Sequence, residues 1–282
     1  MKQRPITVFA FLAPSLVGLT VFFLVPFLDV VRRSFLSASG ERFAGWDNYA
    51  AVLGNEAFLL AAGNTAKFML ACIPVLLALS LALALAVRES TPFRRLAKTA
   101  FLVPCAVPVY AAALLAGLAF DARGMVNGVL AAWNVHPVAW LTSDAAFWVL
   151  VASYVWRNLG YCVVLWLAAL SCIPEHVFEA ARIDGARPAT VLRRVTLPLA
   201  GPSVPVVSVL AVVNAFKVYR EAYLVAGNYP HESMYLLPHL FNNWFASLSL
   251  EKLAAGSVLL ALTLLVFICV LFLAWNSQDR GK

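Results

Sequence analysis

Charge is what this 282-residue chain has least of: Asp, Glu, Lys and Arg make up 12% of it, against 62% hydrophobic residues. A soluble domain carries roughly 25% charged and about 45–50% apolar residues. A water-soluble fold of this length could not hide so much apolar side chain, and the same balance argues against disorder. Cysteine is scarce as well. Cys72, Cys105, Cys162, Cys172 and Cys269 are scattered, mostly inside apolar runs, with no C-x-x-C and no His at ligand spacing. Small buried thiols fit that pattern, whereas a disulfide framework or a metal site does not. The chain also lacks G-x-x-x-x-G-K-[ST], H-E-x-x-H and any Ser/His or Cys/His constellation, and all four histidines fall in loops. No catalytic residue is assigned, and ATP hydrolysis through a phosphate loop is not expected of this polypeptide. The net charge of +7 does not point to nucleic acid. The basic residues sit in short breaks between apolar runs, where a membrane protein keeps its anchors.

What the chain has instead is six long apolar runs: Ile6–Val31, Ala66–Val87, Thr99–Phe120, Ala146–Leu170, Leu197–Phe216 and Leu253–Trp275. Each meets the roughly 18 residues needed to cross a hydrocarbon core of about 30 Å. The alternating strands of a barrel are absent, so a helical bundle is expected. Lys2 and Arg4 precede the first run as in a secretory signal, but that run is too long for a signal's apolar segment. It is read as a retained span. The N-terminus, 88–98, 171–196 and the C-terminus hold twelve of the 21 Lys and Arg, and the three alternate loops hold seven. The positive-inside rule then places both termini in the cytoplasm, with Arg32 and Arg33 working against it. The expected fold class is an all-α membrane protein with six transmembrane helices. It divides into a first helix and external loop (1–64), a five-helix core (65–276) and a cytoplasmic tail (277–282).

Ionisable groups inside a span are costly and mark function or interhelix bonding. Arg157 lies about 16 Å into the fourth run, counting 1.5 Å per residue, which is near the midplane. Tyr154 and Asn158 flank it. Asn214 and Lys217 stand toward the outer end of the fifth run, where Lys217 could snorkel. These five are the candidate substrate-pathway residues, weighed against structural roles. Asp29 is the one carboxylate read as approaching a span interior. Around a wet cavity, aromatic faces and amides of this kind suit a sugar.

One segment, 174–198, is too polar for lipid. Pro174 suits the first position of a helix, Glu175 complements its positive end, and Gly185 can take the left-handed turn that closes it. A second short helix is expected from Pro188, stopping before Pro198. The product is a cytoplasmic helix-turn-helix elbow whose apolar stripe needs a protein groove.

Glu179-Ala180-Ala181, Gly185 and Val195-Thr196-Leu197-Pro198 follow E-A-A-x3-G-x9-I-x-L-P, departing only at Val195. This resembles the EAA loop of binding-protein-dependent ABC transporter permeases. Gly45-Trp46-Asp47-Asn48-Tyr49, Asn64-Thr65, Trp156-Arg157-Asn158-x-Gly160 and Phe216–Tyr223 through Asn242-Asn243 look like the carbohydrate-type permeases related to the maltose and glycerol-phosphate systems. The resemblance implies a bacterial inner-membrane, multi-pass permease subunit of an importer for a carbohydrate or polyol. It implies that Glu179, Ala180, Ala181, Gly185, Leu197 and Pro198 form the ATPase-coupling site. Its partners would be a second, different permease subunit, two ATPase subunits that use the ATP, and an extracytoplasmic solute-binding protein. A self-sufficient secondary carrier or channel is the alternative reading, and a membrane-embedded enzyme a distant third.

Overall fold

A computed structural model describes residues 5–88 and 91–279. Lys2, Arg4, Arg280 and Lys282, which the orientation reading counts, lie outside the described residues. In chain order the main helices are α1 (Leu12–Ser34), α2 (Asp47–Leu53), α3 (Glu56–Ala86), α4 (Pro92–Ala106), α5 (Val109–Ala119), α6 (Met125–Ala132), α7 (Ala145–Ser171), α8 (Glu175–Ile183), α9 (Pro188–Ala226), α10 (Leu237–Ala246) and α11 (Leu250–Asp279). The only β pairing among the described residues is an isolated bridge between Leu36 and Phe43.

Five helices, α1, α3, α7, α9 and α11, are long and apolar enough to cross a membrane. The run expected as a third straight span, Thr99–Phe120, is instead two helices: α4 and α5 meet at 93°. Proline explains the break. Pro108 takes an extended ψ of 142° at the head of α5 and has no N–H to continue α4. Counted as one crossing, the bent pair brings the spans to six.

The fifth span also departs from expectation. The elbow's second helix does not stop before Pro198; it runs on as α9 from Pro188 to Ala226, past the anticipated end at Phe216. A π-turn over Leu192–Thr196 absorbs the proline, with Leu197 N–H bonding to the Leu192 carbonyl five residues back. Widening the helix at this point leaves room for a ring that would clash with an ordinary preceding turn. A 3₁₀ turn at Phe216–Val218 tightens the same helix near its far end.

The chain forms two compact units. Among the described residues, one joins those up to Leu59 with Leu240–Phe267, and the other takes those of Leu60–His239 together with those from Ile268 to Asp279. In the first, the Gly45–Tyr49 stretch folds back on the end of α1. Asn48 Nδ2 donates to the Ser34 and Leu36 carbonyls at 2.9 and 2.7 Å, and the Tyr49 and Ser34 hydroxyls meet at 2.6 Å. Asn48 and Tyr49 are therefore buried, whereas Phe43 and Trp46 nearby are exposed.

The second unit holds the main core. Trp166 on α7 donates its Nε1–H to Ser80 Oγ of α3 at 3.0 Å, and both are buried. Gly160 lets α4 cross α7 at backbone distance: a Cβ there would fall inside the Phe101 carbonyl. Asn64 and Thr65 clasp the segment before α10. Asn64 Nδ2 donates to the Glu232 and Tyr235 carbonyls at 2.6 and 3.1 Å, and Thr65 Oγ1 accepts the Leu237 N–H at 2.9 Å. A buried irregular segment needs such partners for its backbone.

Candidate functional site

Tyr154, Arg157, Asn158, Asn214 and Lys217 all border one cavity of about 420 Å³. Their roles differ. Tyr154 is buried, its hydroxyl donating to the Ala211 carbonyl at 2.6 Å and its ring set edge-on to Phe68. It ties α7 to α9 more than it presents a polar surface. Asn158 Nδ2 donates to the Tyr154 carbonyl one turn back at 2.9 Å. Lys217 Nζ donates to Asn214 Oδ1 at 2.8 Å, so this pair lies along one helix rather than between two.

Arg157 makes the decisive contact. Its Nη1 lies 2.7 Å from Glu221 Oε1, and the two side chains are only 22% and 12% exposed. Arg157 thus borders the cavity and bonds between α7 and α9, so the two placements weighed from the sequence do not exclude each other. The reading that Asp29 is the one carboxylate near a span interior is corrected here. Glu221 was missed because α9 was expected to end at Phe216. Asp29 instead accepts from Arg32 and Arg33 at 2.9 and 2.7 Å, which offsets the two cations that oppose the orientation rule.

A second, almost wholly apolar cavity of about 410 Å³ has Ala112, Leu115, Met125 and Trp156 on its wall, and Arg157 and Glu221 border it too. The ion pair thus stands where a polar and an apolar cavity meet. The bent α4–α5 pair borders both, with Cys105 and Val109 on the first cavity and Ala112 and Leu115 on the second. Glu221 Oε2 is buried with no hydrogen-bond partner. Breaking such a pair by removing one member typically costs about 3–5 kcal/mol, because the other charge is left uncompensated.

The elbow is built as a closed helix with divided faces. Pro174 caps α8 with ψ 141°, one position earlier than read from sequence. At the other end Gly185 takes φ +65°, with Gly185 N–H bonding to the Arg182 carbonyl and Ala186 N–H to the Ala181 carbonyl, both at 3.0 Å. That pair of bonds satisfies the last carbonyls of the helix. Phe178 is buried, with the Arg88 guanidinium 4.0 Å above its ring. Glu179 and Ala180 face outward, Ala181 is half-buried, and Ile183 is 86% exposed. Leu197 and Pro198 are exposed just beyond the π-turn.

Residues 75–280 match the family described as the binding-protein-dependent transport system inner membrane component. The chain belongs to that family. Among its relatives, a diacetylchitobiose uptake system permease protein of Streptomyces coelicolor is 30% identical, covering 97% of this chain and 83% of its own. A trehalose/maltose transport system permease protein of Thermococcus litoralis is 29% identical, covering 92% of this chain and 88% of its own. The fold matches a crystal structure of a bacterial ABC transporter that imports the acidic polysaccharide alginate, at a TM-score of 0.82, with 20% identity over 96% of this chain and 95% of that one. The protein is thus a multi-pass inner-membrane permease subunit of a binding-protein-dependent importer.

Sequence reasoning about this permease missed Glu221, Arg220, Phe178 and Asn127. A carboxylate three residues beyond a 3₁₀ turn has no signature of its own, and the only available signal was the string Phe216–Tyr223 noted for its resemblance. Asn127 sits outside any motif. Its Oδ1 accepts from Val138 N and Trp140 Nε1 at 3.0 and 2.9 Å, and its Nδ2 donates to three carbonyls, holding 121–140 together.

Proposed function

We propose that this permease is a membrane-crossing subunit of an ATP-driven importer of carbohydrates or polyols. Both termini lie in the cytoplasm, and the α8–α9 elbow seats in a groove of a separate ATPase. A second permease subunit completes the pathway, two ATPase subunits supply the work, and an extracytoplasmic solute-binding protein delivers the substrate. Relatives that align with nearly the whole chain serve diacetylchitobiose and trehalose/maltose systems, which supports the substrate class.

The observation that carries the coupling role is the division of faces on α8. Phe178 anchors the helix to its own chain while Glu179, Ala180 and Ile183 are turned outward. A nine-residue helix is marginal in water on its own, so an apolar exposed edge such as Ile183 is best stabilised in a partner's groove. Small alanines permit close approach, and Glu179 offers the groove a charge.

The test is co-purification with the native ATPase and measurement of hydrolysis stimulated by the loaded binding protein. Glu179→Lys inverts the offered charge. Gly185→Val forces a β-branched residue into the left-handed region, whereas Gly185→Asn tolerates it. Because nothing lies within 4 Å of the Gly185 Cβ position, the Val effect is one of backbone direction alone. Glu179→Lys and Gly185→Val are expected to insert normally yet lose the ATPase or its stimulation, and Gly185→Asn to retain both. Wild-type coupling in both disruptive variants would reduce 174–198 to an ordinary loop. Uptake by the permease alone, without any ATPase, would favour the self-sufficient carrier instead.

A further inference from the structure

Arg157, Lys217, Arg220 and Glu221 all border the polar cavity, and Glu221 is the one acid among its lining residues. Three cations therefore face one carboxylate, and that carboxylate is engaged by Arg157 at 2.7 Å. Lys217 has a neutral amide, Asn214, as its partner. Cationic side chains in a membrane span are costly and are found paired or facing water-filled paths. Glu221 is also within electrostatic reach of Arg220, but one carboxylate cannot balance three cations; the net excess sets a positive potential in the cavity, and low-dielectric walls focus it.

We propose that this cavity takes solutes bearing an anionic group, and that the importer's substrates are acidic carbohydrates such as uronic-acid oligosaccharides. The proposal deepens the carbohydrate-importer reading and rests on it. The chemistry fits the wall. Guanidinium and ammonium groups of Arg220 and Lys217 match a sugar carboxylate, with charge-assisted bonds about twice as strong as neutral ones. Asn158 and Asn214 supply amides for hydroxyls. The apolar cavity beyond the Arg157–Glu221 pair has Trp156 among its lining residues, and aromatic side chains are common in sites for small ligands. A volume of about 420 Å³ lies within the range of small-ligand sites. A carboxylate arriving in the cavity also competes with Glu221 for Arg157, which gives the substrate a means of loosening the contact between α7 and α9.

The test uses the complex purified with its native partners and reconstituted in proteoliposomes. Trigalacturonate is set against galactotriose, and tri-glucuronate against maltotriose, in ATP-dependent uptake. The acidic member of each pair is expected to be taken up in preference. Lys217→Gln with Arg220→Gln is expected to lower acidic uptake by roughly tenfold or more while the acidic-to-neutral ratio falls toward one, a change that a merely structural defect would not produce. Equal or preferred uptake of the neutral sugars overturns the proposal but leaves the carbohydrate importer standing. Acidic preference untouched by the double variant also overturns it, because selection then lies with the binding protein. ATP-dependent uptake of no carbohydrate at all would defeat the parent reading instead. Vesicles of phosphatidylcholine alone, compared with vesicles containing phosphatidylglycerol, separate a solute from a lipid headgroup. Activity that follows phosphatidylglycerol and ignores solute charge assigns the cavity's anion to lipid and overturns the proposal.

Discussion

His239 is a single imidazole with an unusual setting. It lies on α10, outside the membrane-spanning helices, and is 1% exposed. Its Nδ1 accepts the Leu236 N–H at 3.2 Å, and the rings of Tyr219 and Tyr235 stand 4.8 and 5.7 Å from it. A neutral ring that accepts at Nδ1 carries its proton on Nε2, which has no partner. Burial pushes the group down from 6.5 to about 4, since a charged ring would lose its hydration without gaining a counter-ion. The sign follows. Between those two values the unfolded chain binds the proton and the folded one does not, so stability is full above about pH 6.5 and declines as pH falls toward 4. On the order of 1–3 kcal/mol is involved. The melting temperature of the purified complex is expected to drop between pH 7.5 and 5, and His239→Asn, which keeps an acceptor near Nδ1, is expected to flatten the slope. An unchanged slope in His239→Asn would mean that another group titrates. Nothing in the sequence marked this residue: it was read as one of four loop histidines, whereas it stands in the first turn of α10. Its meaning comes from the Asn64–Thr65 clasp, which holds the segment before α10 in place and so buries it.

Between elements, α4 crosses α7 with backbone against backbone at Gly160. Gly160→Ala would place a methyl inside the Phe101 carbonyl, so the two helices must part. Overpacking of this kind costs about 1–3 kcal/mol, and more where backbone rather than side chain must yield. Gly117→Ala on α5 is the control. Nothing lies within 4 Å of its Cβ position, and alanine is the better helix former by about 0.8–1 kcal/mol. Thermal unfolding in detergent is expected to show a lower midpoint for Gly160→Ala and an equal or higher one for Gly117→Ala; matching midpoints would remove the close crossing. Gly160 was visible in the sequence only as part of Trp156-Arg157-Asn158-x-Gly160, without its reason, since helix proximity is a tertiary property. Hydropathy located the long runs well because lipid imposes one simple demand on side chains. It could not foresee the 93° bend at Pro108 or the π-turn before Pro198. Those are local solutions to a missing N–H, and either stopping or widening the helix would have met the need. The same blindness ended α9 too early and hid Glu221 from the pathway reading.

For the whole molecule, the charges between its spans make a specific demand on which way it faces. The 171–196 segment exposes Arg182, Arg187, Arg193 and Arg194, and cations of this kind stay on the cytoplasmic side during insertion. The opposing pair, Arg32 and Arg33, is bound to Asp29, which weakens its claim on the same side. Burial helps the measurement. Cys72 and Cys162 are 0% and 1% exposed, so replacing the exposed Cys105, Cys172 and Cys269 leaves a background with little reactivity toward an impermeant thiol reagent. In that background Ala189→Cys, on the elbow, is expected to react only from the cytoplasmic side of oriented vesicles. Ala131→Cys and Glu232→Cys, on the segments after α5 and before α10, are expected to react only from the other. All three positions are exposed, so silence from one side reports the membrane and not burial. Reactivity of Ala189→Cys from the outer face would put the elbow beyond the reach of a cytoplasmic ATPase, and the docking of Glu179 and Ala180 would fall with it.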